Sequence, residues 1–385
     1  MDKSFGTKLA HAGRPQGQGV SPVNPPLVRA STFVFDRLAD FELASKTPFD
    51  GPFYGRVGTP TTFAFENAMA ELEGGHRAIA TASGVAAISA VLLAFLQRGD
   101  HVLVVDTVYE PVRRFCTRML SRMGIETSYY DPAAGAGIAA LIRPETRLIY
   151  LESPGSGTFD VLDLAAIVAV AKARGIRTAI DNTWATPLLL RPLEHGIDVS
   201  IHAATKYIVG HSDAMLGVVT TNAETYDAVR RATQDLGACA GIEECNLGLR
   251  GLRTLEVRLR QHEASALTLA RWLADQPQIA RVLHPALPSC PGHEFWQRDF
   301  DGAAGLFSVE LATRDPQAAR AFLDALQHFR IGFSWGGYES LVLPMHPDSR
   351  ALGRWKDLGA VVRLQIGLEN PADLRADLEQ ALAAI

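Results

Sequence analysis

The sequence predicts an α/β protein with a mostly parallel central sheet, and three observations carry that expectation. Short, continuous apolar runs recur between residues 57 and 252, among them HVLVVD (101–106), RLIYLES (147–153), RTAIDN (177–182), DVSIHAAT (198–205) and LGVVTT (216–221). Stretches with helical periodicity, residues 111–123 and 164–174, separate the earlier runs, the pattern of parallel strands buried on both faces by crossover helices. At 385 residues the chain also exceeds the roughly 250–300 at which a single core stops growing, so a second unit is expected.

Residues 1–56 are rich in Gly, Pro and Thr, as in GRPQGQGVSPVNPP (13–26), and read as an extended arm lying on the body or on a neighbouring chain. Residues 57–252 hold the main sheet. Within them AIATASGVAAISAVLLAFL (78–96) has no charge over 19 positions, long enough to span a bilayer. Its alanines, its hydroxyls at Thr81, Ser83 and Ser89, and the break at Gly84 make it a buried helix instead. Residues 253–385 open with the amphipathic helix TLEVRLRQHEASALTLARWLAD (254–275). The runs GLFSVEL (305–311), FRIGFSW (329–335) and VVRLQIGL (361–368) then alternate with helices, giving a smaller C-terminal α/β domain.

Apolar residues make up 47% and charged ones 21%, so a large core is available. The net charge of −5, without a basic block, argues against nucleic acid or a membrane surface as partner. Cys116, Cys239, Cys245 and Cys290 form no C-x-x-C pair and no metal-ligand spacing, so no metal is expected. The start MDKSFGTKLAHAG lacks the apolar centre of a signal peptide, and with the cysteine pattern this points to a reducing, cytoplasmic setting.

Lys206 is the only formal charge between Asp198 and Asp213, in a chain with six lysines against 31 arginines. Such a lysine either lays its methylenes on apolar surface with its ammonium in water, or is a desolvated amine ready to join a carbonyl. Asp181 ends an apolar strand 25 residues earlier, and both side chains can reach the crevice where ligands of open α/β sheets bind. Alone, Asp181 would be a turn cap. Ser83-Gly84 opens a helix whose free N–H groups favour an anion, though by itself the pair reads as an ordinary cap. Amine, carboxylate and anion cradle together suit pyridoxal phosphate, which needs a lysine for its aldehyde, a carboxylate for its ring nitrogen and a helix start for its phosphate. Two other motifs fail on context. GAGIAA (135–140) does not follow a strand at once, and Pro144 cuts its helix short; GHSDA (210–214) lacks the last glycine of a nucleophile elbow.

The set YGRVGTPT (54–61), ASGVAA (82–87), TVYEP (107–111), LESPGSGT (151–158), IDNTW (180–184), AATKYIVGHSDAMLG (203–217) and SWGGYESL (334–341) resembles the cysteine/methionine-metabolism family of pyridoxal phosphate enzymes. The resemblance runs from about Phe5 to Ile385 and is greatest to the family's bacterial cystathionine β-lyases. It implies the fold-type I transferase architecture, with Lys206 as Schiff-base lysine and Asp181 as partner of the pyridine nitrogen. Tyr109 would stack on the ring and, with Tyr54, join Lys206 among the catalytic residues. The phosphate would fall to Ser83, Gly84, Val85 and Thr205, with Tyr54 and Arg56 reaching in from a second subunit of a homo-oligomer, a tetramer built as a dimer of dimers. Arg363 would hold the substrate carboxylate beside Ser334 and Trp335, its fork matching a carboxylate bidentately. Many relatives have a serine where this chain has Ala203, which removes one bond to the phosphate. Ser156 and Trp335 take the β-lyase form where γ-eliminating relatives differ, so the implied reaction is β-elimination of L-cystathionine to homocysteine, pyruvate and ammonia. The alternatives are γ-lyase or γ-synthase chemistry, a cysteine-S-conjugate β-lyase or cysteine desulfhydrase, and a protein that binds the cofactor without turnover.

Overall fold

The computed structural model describes residues 4–14, 19–347 and 350–385. Of the arm read over residues 1–56, residues 1–3 and 15–18 lie outside the described residues. The apolar runs of the first half become adjacent strands: β1 (Arg77–Thr81), β2 (His101–Val105), β3 (Glu126–Tyr130), β4 (Thr146–Glu152), β5 (Arg177–Asp181), β6 (Val199–His202) and β7 (Gly217–Thr221). They form one sheet in the order β1-β7-β6-β5-β4-β2-β3. β7 runs antiparallel to both its neighbours, and every other pairing is parallel. β2, β6 and β7 are buried along their whole length, as strands covered on both faces must be. The parallel strands β2, β4, β5 and β6 therefore deliver their last residues, Val105, Glu152, Asp181 and His202, to one edge.

A second sheet is built from β8 (Ile279–Leu283), β9 (Leu306–Leu311), β10 (Arg330–Ile331), β11 (Leu341–Met345) and β12 (Val361–Gln365), ordered β10-β11-β12-β9-β8. Helices Leu255–Ala274 and Pro371–Leu382 pack on it around a separate core of Phe307, Val309, Leu364 and Leu378, all fully buried. In the middle of this sheet Arg363 lies between Leu343 and Ser308.

Several local expectations need correction. The uncharged run 78–96 is not one helix: its first four residues belong to β1, and the helix starts at Gly84, where the Ser83 hydroxyl accepts from the Ala86 N–H. A buried strand and a buried helix are equally apolar, so composition did not mark the boundary. The helix read over 111–123 is an α-helix only over Glu110–Phe115 and continues as a π-turn over Cys116–Leu120. In FRIGFSW only Arg330–Ile331 is strand. The arm is not wholly extended, since it contains helices Phe5–His11 and Leu38–Lys46, and the first buries Leu9 against the body. β3, β8 and β11 have mixed or partly exposed side chains and gave no clean pattern. GAGIAA forms a 3₁₀ helix, Gly135–Leu141.

Among the described residues no helix is long and apolar enough to cross a membrane, and no group of three or more His, Cys, Asp or Glu is placed to hold a metal.

Candidate active site

The carboxyl edge of the first sheet opens into a cleft, at the strand ends where open α/β sheets bind their ligands. Ser83, Gly84, Val85, Tyr109, Ser156, Asp181, Thr205, Lys206, Trp335 and Arg363 all line it. Ser334 joins them by contact, for its hydroxyl accepts from Lys206 Nζ at 2.6 Å and its carbonyl accepts from Arg363 Nη2 at 2.9 Å. Tyr54 and Arg56 do not line the cleft. Arg56 instead donates to the carbonyl and side-chain oxygens of Gln234 at 2.8 and 3.0 Å, and Tyr54 is 45% exposed.

Lys206 sits on the turn after β6, four residues past His202, where burial strips water from its amine. Burial, with the nearby Arg363 guanidinium adding to it and Asp181 opposing, lowers the amine from its ordinary 10.5 to about 8. The SWGG loop crosses directly over this lysine. At Gly336, with φ of +83°, a Cβ would fall 2.8 Å from the Tyr207 nitrogen and 2.9 Å from the Lys206 carbonyl carbon, so the loop closes only with glycine there. Trp335 places its ring 5.4 Å from the Lys206 amine and stands edge-on to Tyr207, so it is at once a cleft wall and a core contact. Arg363 is held by burial at about 10, below its ordinary value.

Asp181 accepts from the Thr183 backbone N–H at 3.0 Å and from the Thr183 hydroxyl, which itself accepts from Ala203 N–H at 2.9 Å. Burial raises its carboxyl above the ordinary range, against the bonds from Thr183 and the nearby Lys206 amine. A second carboxylate shares the edge: Glu152, paired in register with Asp181, takes the Tyr109 N–H at 2.7 Å. Burial and then Asp181 push Glu152 well up. Asp181 takes two bonds from Thr183 and faces Lys206, whereas Glu152 takes the Tyr109 N–H and faces Arg350. Glu152 was missed from the sequence, although it ends β4 as Asp181 ends β5, and that shared position was the available signal. Trp184 was missed as well; it walls the cleft with its indole N–H fixed on Leu306 O at 2.9 Å.

The anion cradle lies at the start of helix Gly84–Phe95. The N–H groups of Gly84 and Val85 lie in the first helical turn and have no partner within the helix. Opposite them is Ala203, and a Cβ on Gly84 would fall 2.6 Å from the Ala203 Cβ, so glycine keeps this cradle open. The Thr205 hydroxyl donates to Leu216 O at 3.1 Å and accepts from Leu216 N–H at 2.8 Å, which commits its proton to the turn. A partly neutral amine, a carboxylate supported from behind and open N–H donors at a helix start fit pyridoxal phosphate.

A desolvated amine and a strand-end carboxylate facing one crevice of a doubly covered α/β sheet define a protein that works on carbonyls and amines through a bound carbonyl cofactor. The chain belongs to the Cys/Met metabolism PLP-dependent enzyme family, whose sequence model matches residues 6–383. It is 45% identical over 392 residues to the cystathionine beta-lyase MetC of Escherichia coli, covering all of this chain and 99% of that protein. It is 44% identical, with the same coverage, to the cystathionine beta-lyase of Salmonella typhimurium. Among solved structures it superposes on metB from Corynebacterium glutamicum with a TM-score of 0.91 at 30% identity, over 99% of this chain and 98% of that one. The fold-type I architecture and the dependence on pyridoxal phosphate follow from these matches.

Proposed function

We propose that this protein is a carbon–sulfur lyase that cleaves L-cystathionine by β-elimination to homocysteine, pyruvate and ammonia. The observation that carries the reading is the buried Lys206 amine at about 8, bonded to Ser334 and facing Asp181 across the cleft. The names of the full-length relatives supply the substrate.

Bound in the cleft, pyridoxal phosphate supplies an aldehyde for an amine and a protonated ring that draws electrons from the substrate's Cα. Every other part is assigned to the chain. Lys206 would hold the cofactor's aldehyde and, when its amine is free, would be the base that takes the Cα proton. Asp181, fixed by Thr183, would keep a proton on the ring nitrogen. Tyr109, which lines the cleft, would cover the ring and, with the partner's Tyr54, complete the catalytic group. The N–H groups of Gly84 and Val85 would receive the phosphate, with Ser83, Thr205 and the partner's Arg56 around it.

Arg363 grips the substrate carboxylate. Its orientation by the Ser334 carbonyl supports that role, because the guanidinium is aimed before substrate arrives. Ser156 and Trp335 bound the space beyond Cβ, and a proton returned by Lys206 lets the thiolate leave as homocysteine. This division requires a second subunit to bring Tyr54 and Arg56, so we propose a two-fold homo-oligomer, a dimer of dimers, acting in the cytoplasm.

Pyruvate release by the cofactor-loaded protein tests the reading. L-cystathionine should be turned over with a higher kcat/KM than L-cysteine or L-cystine. 2-Oxobutyrate in place of pyruvate would establish γ-elimination instead, and a yellow protein releasing neither would be a binding protein without turnover.

A further inference from the structure

The cleft wall Gly155–Thr158 is held from outside by a residue that the reaction does not use. Arg350 donates through Nη1 to the Thr158 hydroxyl at 2.6 Å and through Nη2 to the Ser156 carbonyl. The Thr158 hydroxyl gives its own proton to Asp160 Oδ2 at 2.6 Å, so it meets Arg350 as an acceptor. Inside the wall, Ser156 N–H bonds the Thr107 carbonyl at 2.7 Å. At Gly157, with φ of +81°, a Cβ would fall 2.7 Å from the Met345 terminal carbon, so the segment before Arg350 presses on the same wall.

The anchor of Arg350 is equally specific. Asp106, which is 3% exposed, accepts the N–H groups of Ala351 and Leu352 at 3.0 and 2.9 Å. It also pairs with Arg113 at 2.7 Å, on helix Glu110–Phe115, which Tyr109 precedes as its cap. The carboxylates facing Arg350 are Asp160, Asp106 and Glu152, and the neighbouring cation is Arg113. One polar knot thus ties the Tyr109 helix, the Ser156 wall and the segment that leads on to Arg363.

We propose that Arg350 is a positioning residue for the substrate: by fixing the Ser156 main chain and the Thr158 side chain it sets the width of the cleft beyond the reacting carbon. It governs how tightly the thioether arm is held and leaves the chemistry at Lys206 alone. The inference rests on the lyase reading above.

Steady-state kinetics of the cofactor-loaded enzyme with L-cystathionine test it. In Arg350→Gln, KM should rise about tenfold with kcat within about twofold, because binding made equally in ground and transition state is what is lost. Arg350→Lys, which keeps a donor, should recover most of the KM. Thr158→Val removes the side-chain acceptor, along with its bond to Asp160, without changing the net charge. It should raise KM by itself and add little in the Arg350→Gln background, the sign of a shared interaction.

An unchanged KM in Arg350→Gln, or a fall in kcat at constant KM, overturns the proposal. If Arg350→Gln does not fold, Thr158→Val decides, and a wild-type KM in that variant overturns it as well. Wild-type protein without cystathionine turnover sinks the lyase reading and this inference with it; wild-type turnover with an insensitive KM sinks only the inference.

Discussion

The carboxyl edge of the first sheet and the arm that ends at Arg56 treat their polar and apolar groups in opposite ways. In the cleft Lys206, Asp181 and Arg363 are stripped of water, and each is held by bonds from its own chain. Along the arm Val20, Val34, Leu38 and Leu43 are exposed, the isolated chain leaves Arg56 on Gln234, and the Tyr54 ring stands half open. The contrast separates two kinds of site residue. Those fixed by a core are already aimed, whereas those on a segment with little core of its own need another surface to aim them.

The largest effect should fall on the aimed side. Lys206→Ala removes the covalent anchor and the base together, and pyruvate formation should drop by at least a thousandfold, about 4 kcal/mol of barrier. Activity within tenfold of wild type would show that another residue does this work.

The arm side is tested by complementation. Arg56→Ala and Lys206→Ala should each be nearly inactive as pure oligomers. An isolated mixed dimer has one site with both residues intact and should regain up to about half of wild-type activity per dimer, as two-fold exchange of arms requires. Mixed dimers as inactive as their parents would place Arg56 in its own chain's site and erase the contrast.

A smaller change sharpens the account of the cleft. In Arg363→Lys a point ammonium replaces a two-donor fork, so KM for L-cystathionine should rise about tenfold or more, with a lesser change in kcat. A KM that does not move would put the carboxylate elsewhere. The smallest effect concerns the phosphate. Ala203→Ser faces the Gly84 cradle and adds one hydroxyl where the Thr205 proton is already committed. Cofactor Kd, followed by absorbance during dialysis, should tighten several-fold, the worth of about 1 kcal/mol. Weaker binding would mean that the cradle has no room for the added atom.

How much of this was legible in sequence depends on how local each signal is. Asp181 and Lys206 could be found because a lone charge at the end of an apolar run is a property of a dozen neighbouring residues. Glu152 carries the same signal in RLIYLES and needed only the same reading. The knot around Arg350 had no such signal, since its bonds join residues 192 and 194 positions apart and no local pattern encodes them. β1 vanished into the run 78–96 because burial demands apolar side chains of strand and helix alike. The π-turn at Cys116–Leu120 inserts a residue that periodicity over so short a helix does not register. The fold class survived these local errors, because the order of apolar strands and helices, rather than their edges, defines a covered parallel sheet.

The central claim is that Lys206 is the amine that takes the cofactor's aldehyde. With its amine at about 8, close to a quarter is neutral at pH 7.5, whereas a lysine at its ordinary 10.5 would be neutral about one time in a thousand. Borohydride reduction of the cofactor-loaded protein at pH 7.5, followed by peptide mass spectrometry, should therefore find the cofactor's mass on the peptide containing Lys206 and on none of the other five lysines. The mark on a different lysine, or no mark on a protein that is yellow before reduction, would contradict the account.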